Sequence, residues 1–293
     1  MDPINRTNTA RTIIKKFNKM KTIPSVANTL IKMTQDDKST LEEFEKVIKM
    51  DPVMVLRLLK LVNSSYFSLQ TKIKNISEAV AYIGMDNLRN LLVLDVLKNI
   101  FSQKTISENF SRSYLWLHSS VASVCSQMVA ERIFTQKGED AFLCGLLHDI
   151  GIIVEEQSTP KMFSDFCSNF NPAKDVLTDY EYLVMGTDHP TIGSLFIEEW
   201  GLNMDICKAI KVHHKPLNKV EPNSLEGILQ ISEYLISRLQ YNAFPEMNVI
   251  LNSNSLLVHM KNNLTEYKAI VDDLPYEIQK AKELYTLEEY QNG

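Results

Sequence analysis

The chain has few of the residues that interrupt helices, and it lacks long apolar runs. It contains only 9 glycines and 10 prolines in 293 residues, which is few for an architecture built from many tight turns. No apolar stretch approaches the roughly 20 residues that a membrane-spanning helix needs. These absences favour long helices over β-structure, and they predict a protein without a membrane span.

Cysteine is also scarce, and no single sign of charge dominates. The four cysteines form no CxxC pair and no dense framework, so we expect reduced thiols in a cytoplasmic protein rather than a disulfide scaffold. The basic N-terminus lacks the apolar core of a secretory signal. A formal net charge of -5 provides no general case for direct binding to nucleic acid.

Apolar residues recur at helical spacing along the chain, and no strand pattern or short repeat stands out. Residues 40–43, TLEE, have the spacing of a capping box. Asp51 precedes a proline at a predicted helix start, and Asp188 is expected to cap a helix whose first turn holds His189 and Pro190. Ser77 is expected to cap a helix that ends at Gly84, before a long helix begins. The sequence therefore predicts an all-α fold.

The pattern of helices suggests four parts. The basic first part carries apolar residues at helical spacing, so it either docks on the body or binds a membrane surface or a partner. The acidic last part either covers the body or serves a partner. The predicted parts are a basic N-terminal helix or arm at 1–20, a helical subdomain at 21–105, a second helical subdomain at 106–240 and a C-terminal helical extension at 241–293.

Histidine carries the main chemical signal in the sequence. Two adjacent pairs, His148-Asp149 and His213-His214, lie near predicted helix ends. Neighbouring helix residues point about 100° apart, so a pair can flank one metal ion or serve two. Imidazoles with a carboxylate suit Zn, Fe or Mn. A buried His/Asp network without metal is the alternative. The six histidines are His118, His148, His189, His213, His214 and His259.

Two of these segments resemble a known superfamily. "FLCGLLHDIG" and "DHPTIGSLFIEEWGL" are similar to core motifs of the HD superfamily of metal-dependent phosphohydrolases. Its HD-GYP variant hydrolyses cyclic dinucleotides. In that family the site holds two or three metal ions, and for this chain we expect one or two divalent ions, Fe, Mn or Zn. The ligands that the resemblance implies are His118, His148, Asp149, His189, His213 and His214.

The front half of the chain resembles a more specific relative. "IPSVANTLIKM", "VIKMDPVMVLRLLKLVNSSYF" and "ISEAVAYIGMDNLRNLLV" are similar to signature blocks of the HDOD domain. That domain is an HD-related, generally non-catalytic helical module of bacterial signalling proteins. The resemblance covers roughly residues 20–240. It implies two packed helical subdomains, of which the second is HD-like.

Several departures from the HD-GYP pattern bear on the chemistry. The lysine that follows HDIG in that family is Ile152 here, and "HHKPLN" lacks the GYP loop. Lys211 and Lys215 flank the histidine pair and are candidate replacements for the lost cation. The late aspartate of the family falls at Ser232, and Glu233 beside it would point about 100° away round the helix. One metal ion would then lack an anionic ligand.

These observations support two functional hypotheses. The leading one is a bacterial regulatory protein of HDOD type that binds protein signalling partners or a small ligand without turnover. The alternative is a metal-dependent phosphohydrolase acting on a substrate such as a cyclic dinucleotide, which needs a metal-activated water and cations around the phosphate. No oligomeric state is indicated.

Overall fold

A computed structural model describes residues 3–19, 25–34, 36, 38–102, 110–172, 174–215, 219–244, 247, 249, 251 and 253–286. Within these residues the chain forms fifteen α-helices, one 3-10 turn and one π-helical turn, and no β-strand. The all-α prediction is therefore confirmed. None of the helices in these ranges has the length and apolar content needed to cross a membrane.

The helices occur along the chain in the following order. The first five are α1 (Pro3–Lys19), α2 (Ser25–Met33), α3 (Leu41–Ile48), α4 (Pro52–Val62) and α5 (Ile76–Phe101), with the 3-10 turn at Ser65–Phe67. The next eight are α6 (Arg112–Met128), α7 (Glu139–Leu147), α8 (Ile150–Ser158), α9 (Pro160–Asn169), α10 (Leu177–Met185), α11 (His189–Glu199), α12 (Met204–Val212) and α13 (Leu225–Arg238). The π-helical turn spans Val129–Ile133, and α14 (Asn254–Asn262) and α15 (Leu264–Tyr285) complete the set.

Local capping explains where several helices begin. Thr40 and Glu43 each accept a hydrogen bond from the other's backbone N–H, which is the predicted capping box. Asp51 and Asp188 each cap a helix by accepting from the backbone N–H three residues on. These three predicted helix starts are confirmed.

One predicted helix boundary differs from the structure. Asn75, not Ser77, caps α5 by accepting from the backbone N–H of Glu78. Gly84 has φ 79° and ψ 165°, which lie outside the helical region, so it interrupts α5 at the predicted position. A positive φ is accessible to glycine without a steric penalty. The predicted end of the first helix at Gly84 is therefore confirmed, and a second helical segment follows it within α5.

Two groups of helices meet across α5 and α7. Helices α2, α3 and α4 pack on α5, while α6 and α7 pack together at the centre of the second group. Helix α13 packs against α6, α7 and α12, and α11 packs against α8 and α12. The ends of α7, α11 and α12 are thereby brought towards the middle of α6.

The first and last described helices, α1 and α15, pack on the second group. Helix α1 lies against α8 and α11, where its Phe17 is fully buried and meets Phe196 edge-on with ring centroids 5.2 Å apart. Helix α15 lies against α6 and the π-helical turn. Its last residue, Tyr285, accepts a hydrogen bond through its backbone oxygen from Trp116 Nε1 at 2.7 Å. The described parts of both terminal segments thus cover the body.

Candidate metal centre

The predicted ligands lie in one buried cluster that divides into two groups sharing Asp149. In each group, one potential ligand atom per residue lies within 4.8 Å of the others. We name the first the His118 group; it consists of His118, His148 and Asp149. We name the second the His189 group; it consists of Asp149, His189, His213 and His214. The structure therefore contains His/Asp clusters that could hold a metal ion.

Close contact between α8 and α11 brings the two groups together. Asp149 immediately precedes α8, and His189 is the first residue of α11. A Cβ atom on Gly151 would lie 2.1 Å from the backbone oxygen of His189, which is far inside van der Waals contact. Glycine at this position is what allows α11 to approach α8 so closely.

Asp149 lies between the two groups and faces both. Its Oδ2 atom is 3.3 Å from the Nε2 atoms of His118 and of His148. Its Oδ1 atom is 3.3 Å from His189 Nε2 and 3.5 Å from His213 Nε2. One carboxylate thus presents one oxygen to each group, which is an arrangement suited to bridging two cations.

Backbone carbonyls orient three of the histidine rings. A carbonyl oxygen can only accept, so each Nδ1 must donate its hydrogen, and the Nε2 atom of the neutral ring then carries the lone pair. In each case Nε2 faces Asp149. The Nδ1 contacts are His118 with Tyr241 at 2.7 Å, His148 with Gly145 at 2.8 Å and His213 with Ile210 at 2.6 Å.

The Nε2 atoms meet in pairs at short distances. Those of His118 and His148 are 3.0 Å apart, and those of His189 and His213 are 3.3 Å apart. Two lone pairs at such a distance repel unless a proton or a metal ion lies between them. Asp149 Oδ1 is also buried without a hydrogen-bond donor among the described residues. The donor set of imidazoles and carboxylate therefore fits a divalent metal ion.

Glu233 faces the His118 group, whereas Ser232 does not. Glu233 Oε1 lies 3.4 Å from His148 Nε2 and 3.6 Å from His118 Nε2, and it has no hydrogen-bond donor among the described residues. Ser232 Oγ instead donates to the backbone oxygen of Ile228 at 2.8 Å. The register expected from the sequence therefore differs from the observed one, and the anionic group that seemed to be missing is Glu233.

A cavity of about 320 Å³ reaches the cluster. Its lining includes His213, His214 and Glu233, together with Lys174 and Lys215. A small anionic molecule could enter it and contact both the cluster and an ammonium group.

Lys211, the other lysine predicted to replace the missing lysine of the HD-GYP pattern, lies away from this cavity. Lys211 is exposed on α12, outside the lining of this cavity. The structure therefore separates the two candidate lysines, and Lys215 alone of this pair is placed near the cluster.

The carboxylates of Asp149 and Glu233 raise the pKa values of both histidines in the His118 group. Burial lowers the pKa of His118, but the charges of Glu233 and Asp149 outweigh burial and raise it to about 9. Burial also opposes protonation of His148, yet Asp149 and Glu233 raise its pKa above the usual value. Burial alone would raise the pKa of Asp149, but His148 and His118 hold it well below the usual value. Asp149 therefore stays ionised, whereas the His118 ring holds a proton that a metal ion must displace.

The pKa values of the histidines in the His189 group are shifted in opposite directions. Burial lowers the pKa of His213, and burial together with His213 lowers the pKa of His214 well below the usual value. Neutral imidazole is the form that binds metal. His189 differs, because Glu181 and Asp149 overcome burial and raise its pKa well above the usual value.

Glu181 is a contact that the sequence did not indicate. Its Oε1 and Oε2 atoms lie 2.7 and 2.8 Å from His189 Nδ1. It precedes His189 by eight residues and belongs to no recognisable motif, so only the three-dimensional structure reveals the contact.

Comparison with known proteins places this arrangement in a family context. The sequence profile of the HDOD domain matches residues 20–216. An uncharacterised protein of Treponema pallidum (strain Nichols) is 27% identical over 212 residues, which are 71% of this chain and 40% of that protein. The chain therefore spans well under half the length of this curated relative.

Three solved structures share the fold. An HDOD domain protein with unknown function from Geobacter sulfurreducens has a TM-score of 0.72 at 23% identity, covering 98% of this chain and all of that one (100%). A protein of Shewanella amazonensis SB2B, provisionally named as a phosphohydrolase, has a TM-score of 0.68 at 20% identity, covering 93% and 97%. A protein of Marinobacter aquaeolei VT8, provisionally named for signal transduction, has a TM-score of 0.67 at 17% identity, covering 95% and 65%.

Proposed function

Because the chain belongs to the HDOD domain family, as its signature blocks predicted, we propose that it is a cytoplasmic regulatory protein of bacterial signal transduction. It acts by binding protein partners or a small ligand. A structural neighbour provisionally named for signal transduction supports this role. Ile152 supports binding over turnover, since a buried isoleucine stands where the related hydrolases carry a lysine.

We further propose that the HD-like half binds one or two divalent ions, Fe, Mn or Zn. The observation that carries this proposal is the 3.0 Å separation of the Nε2 atoms of His118 and His148. Both rings have committed their Nδ1 hydrogens to backbone carbonyls, so the facing lone pairs need either a shared proton or a metal ion between them. Asp149 and Glu233 contribute the negative charge. A bound divalent ion would supply a Lewis-acidic centre for an anionic ligand.

Metal content tests this proposal directly. Untagged protein and a His148→Ala/Asp149→Ala double variant are compared by elemental mass spectrometry. His259→Ala is the matched control, because His259 lies outside the cluster and stacks on Phe134. We expect close to one or two equivalents in the wild type and in the control, and none in the double variant. Absence of metal from the wild type, even after reconstitution, would refute the proposed centre.

A metal-dependent phosphohydrolase is the second candidate function. The cavity beside His213 and Glu233 favours it, because Lys215 lines that cavity and could contact a phosphate group. The metal-loaded protein should then hydrolyse bis(p-nitrophenyl) phosphate or a cyclic dinucleotide. Lys215→Ala should reduce the rate, whereas Lys211→Ala is the matched control. A fully loaded protein without hydrolysis would leave the binding role as the function.

A further inference from the structure

His189 is held by a carboxylate at two points. Glu181, on α10, accepts from His189 Nδ1 through oxygens at 2.7 and 2.8 Å, and it also accepts from the backbone N–H of His189 at 3.1 Å. Both residues are completely buried. The contact therefore constrains the ring and the start of α11 together.

This contact differs from those of the rings of His118, His148 and His213. Their Nδ1 atoms donate to neutral backbone carbonyls, whereas His189 donates to a side chain that can carry a full negative charge. A carboxylate behind a metal-binding imidazole fixes its tautomer and orientation and makes Nε2 a stronger donor to metal. The His189 group therefore has a carboxylate behind one of its rings, whereas the rings of the His118 group have only backbone carbonyls behind them.

We propose that Glu181 is a positioning residue for His189 and that it strengthens metal binding by the His189 group without itself touching the ion. This inference rests on the proposed metal centre. Among the described residues, Glu181 forms hydrogen bonds with His189 and with no other residue of the cluster. Its loss should therefore weaken the His189 group and spare the His118 group.

A neighbouring carboxyl provides a matched control. Glu155, on α8, is completely buried, and neither of its carboxylate oxygens has a hydrogen-bond partner among the described residues. Burial raises the pKa of both carboxyls, but His189 donates only to Glu181, so Glu181 is the charged member of the pair and Glu155 the neutral one. Glu155→Gln then replaces one buried, uncharged group with another of nearly the same shape, and it should leave metal binding unchanged.

The test compares Glu181→Ala, Glu181→Gln and Glu155→Gln with the wild type. Each protein is loaded with Zn, Mn or Fe and dialysed against a series of chelator concentrations, and the retained metal is measured by mass spectrometry. The ion held by the His189 group is identified as the ion lost in His189→Ala. We expect Glu181→Ala to bind that ion roughly 10- to 100-fold more weakly, with the other ion unaffected.

Glu181→Gln should lie between Glu181→Ala and the wild type, because the amide oxygen still accepts from Nδ1 but has no charge. Unchanged melting temperatures of the metal-free proteins show that the fold is retained, and the nearly isosteric Gln variant provides the result if the Ala variant fails to fold. Wild-type affinity for the His189-dependent ion in both Glu181 variants overturns the inference while the metal centre stands. A wild type without metal overturns both.

Discussion

His118 and His148 face each other through their Nε2 atoms at 3.0 Å, and each ring has already committed its Nδ1 hydrogen to a backbone carbonyl. Nearby carboxylates of Asp149 and Glu233 lie 3.3 to 3.6 Å from these nitrogens. In this buried setting an unpaired lone pair or charge is costly. The pair therefore needs a proton or a metal ion, and the competition between the two determines how the site responds to pH.

Glu233 supplies negative charge to the His118 group, so Glu233→Gln should weaken the ion in that group. We expect a loss of affinity of roughly 10- to 100-fold, measured by competition with a chromogenic chelator. Ser232→Ala is the matched control on the same helix, because Ser232 donates to Ile228 and not to the cluster. Equal affinity of the Gln variant and the wild type would show that Glu233 takes no part in metal binding.

Metal affinity should rise with pH up to about 9. The pKa of the metal-free His118 ring is about 9, so at neutral pH a proton occupies the nitrogen that a metal ion needs. Metal binding must release that proton, and affinity levels off once the ring is neutral. Calorimetric titrations in two buffers of different ionisation enthalpy measure the release. A constant affinity between pH 6.5 and 9 would contradict this prediction.

The same shift makes the metal-free protein less stable at high pH. The folded pKa of about 9 lies above the ordinary value of 6.5, so protonated His118 contributes its full stabilisation below pH 6.5. That contribution is lost as pH rises through 9. We expect the melting temperature of the metal-free protein to fall across this window, and the metal-loaded protein to show a smaller fall because its ring is not protonated.

Gly151→Ala should separate α8 from α11. The added Cβ would lie 2.1 Å from the backbone oxygen of His189, which has no freedom to move away. We expect a loss of about 1–3 kcal/mol in the free energy of unfolding, measured with urea, together with weaker metal binding. Gly193→Ala is the matched control, since its nearest contacts are at 3.4 Å. Equal stability of the two variants would argue against a close approach at Gly151.

Arg112 and Glu156 form a buried ion pair that joins α6 to α8. Arg112 Nε donates to Glu156 Oε2 at 2.6 Å, and its Nη1 donates to the backbone oxygen of Ile100 at 3.1 Å. Arg112→Met leaves a buried carboxylate without its cation and should cost about 3–5 kcal/mol. Arg112→Met combined with Glu156→Met should be less destabilising than the single change. Urea unfolding of both variants tests this, and a double variant that is no more stable than Arg112→Met would contradict it.

Local features of the sequence were sufficient to predict most helix starts and the family. The capping box at Thr40 and Glu43 and the cap at Asp188 involve residues three positions apart, so their hydrogen bonds follow from the chain itself. Ser77 shows the limit of such reasoning, because Asn75 two residues earlier offers an equally good acceptor and forms the cap. At Gly84 the local prediction holds, since its positive φ interrupts α5 where the sequence predicted a helix end.

The sequence by itself determined the all-α class, the family and the six residues of the resemblance, because periodicity and motif spacing are local properties. Tertiary structure decided that Asp149 faces both groups, that Glu233 rather than Ser232 faces the cluster, and that Glu181 holds His189. These contacts depend on the rotation of α13 and α10 about their axes. Packing of apolar residues distant in the sequence sets that rotation, so no local pattern encodes it.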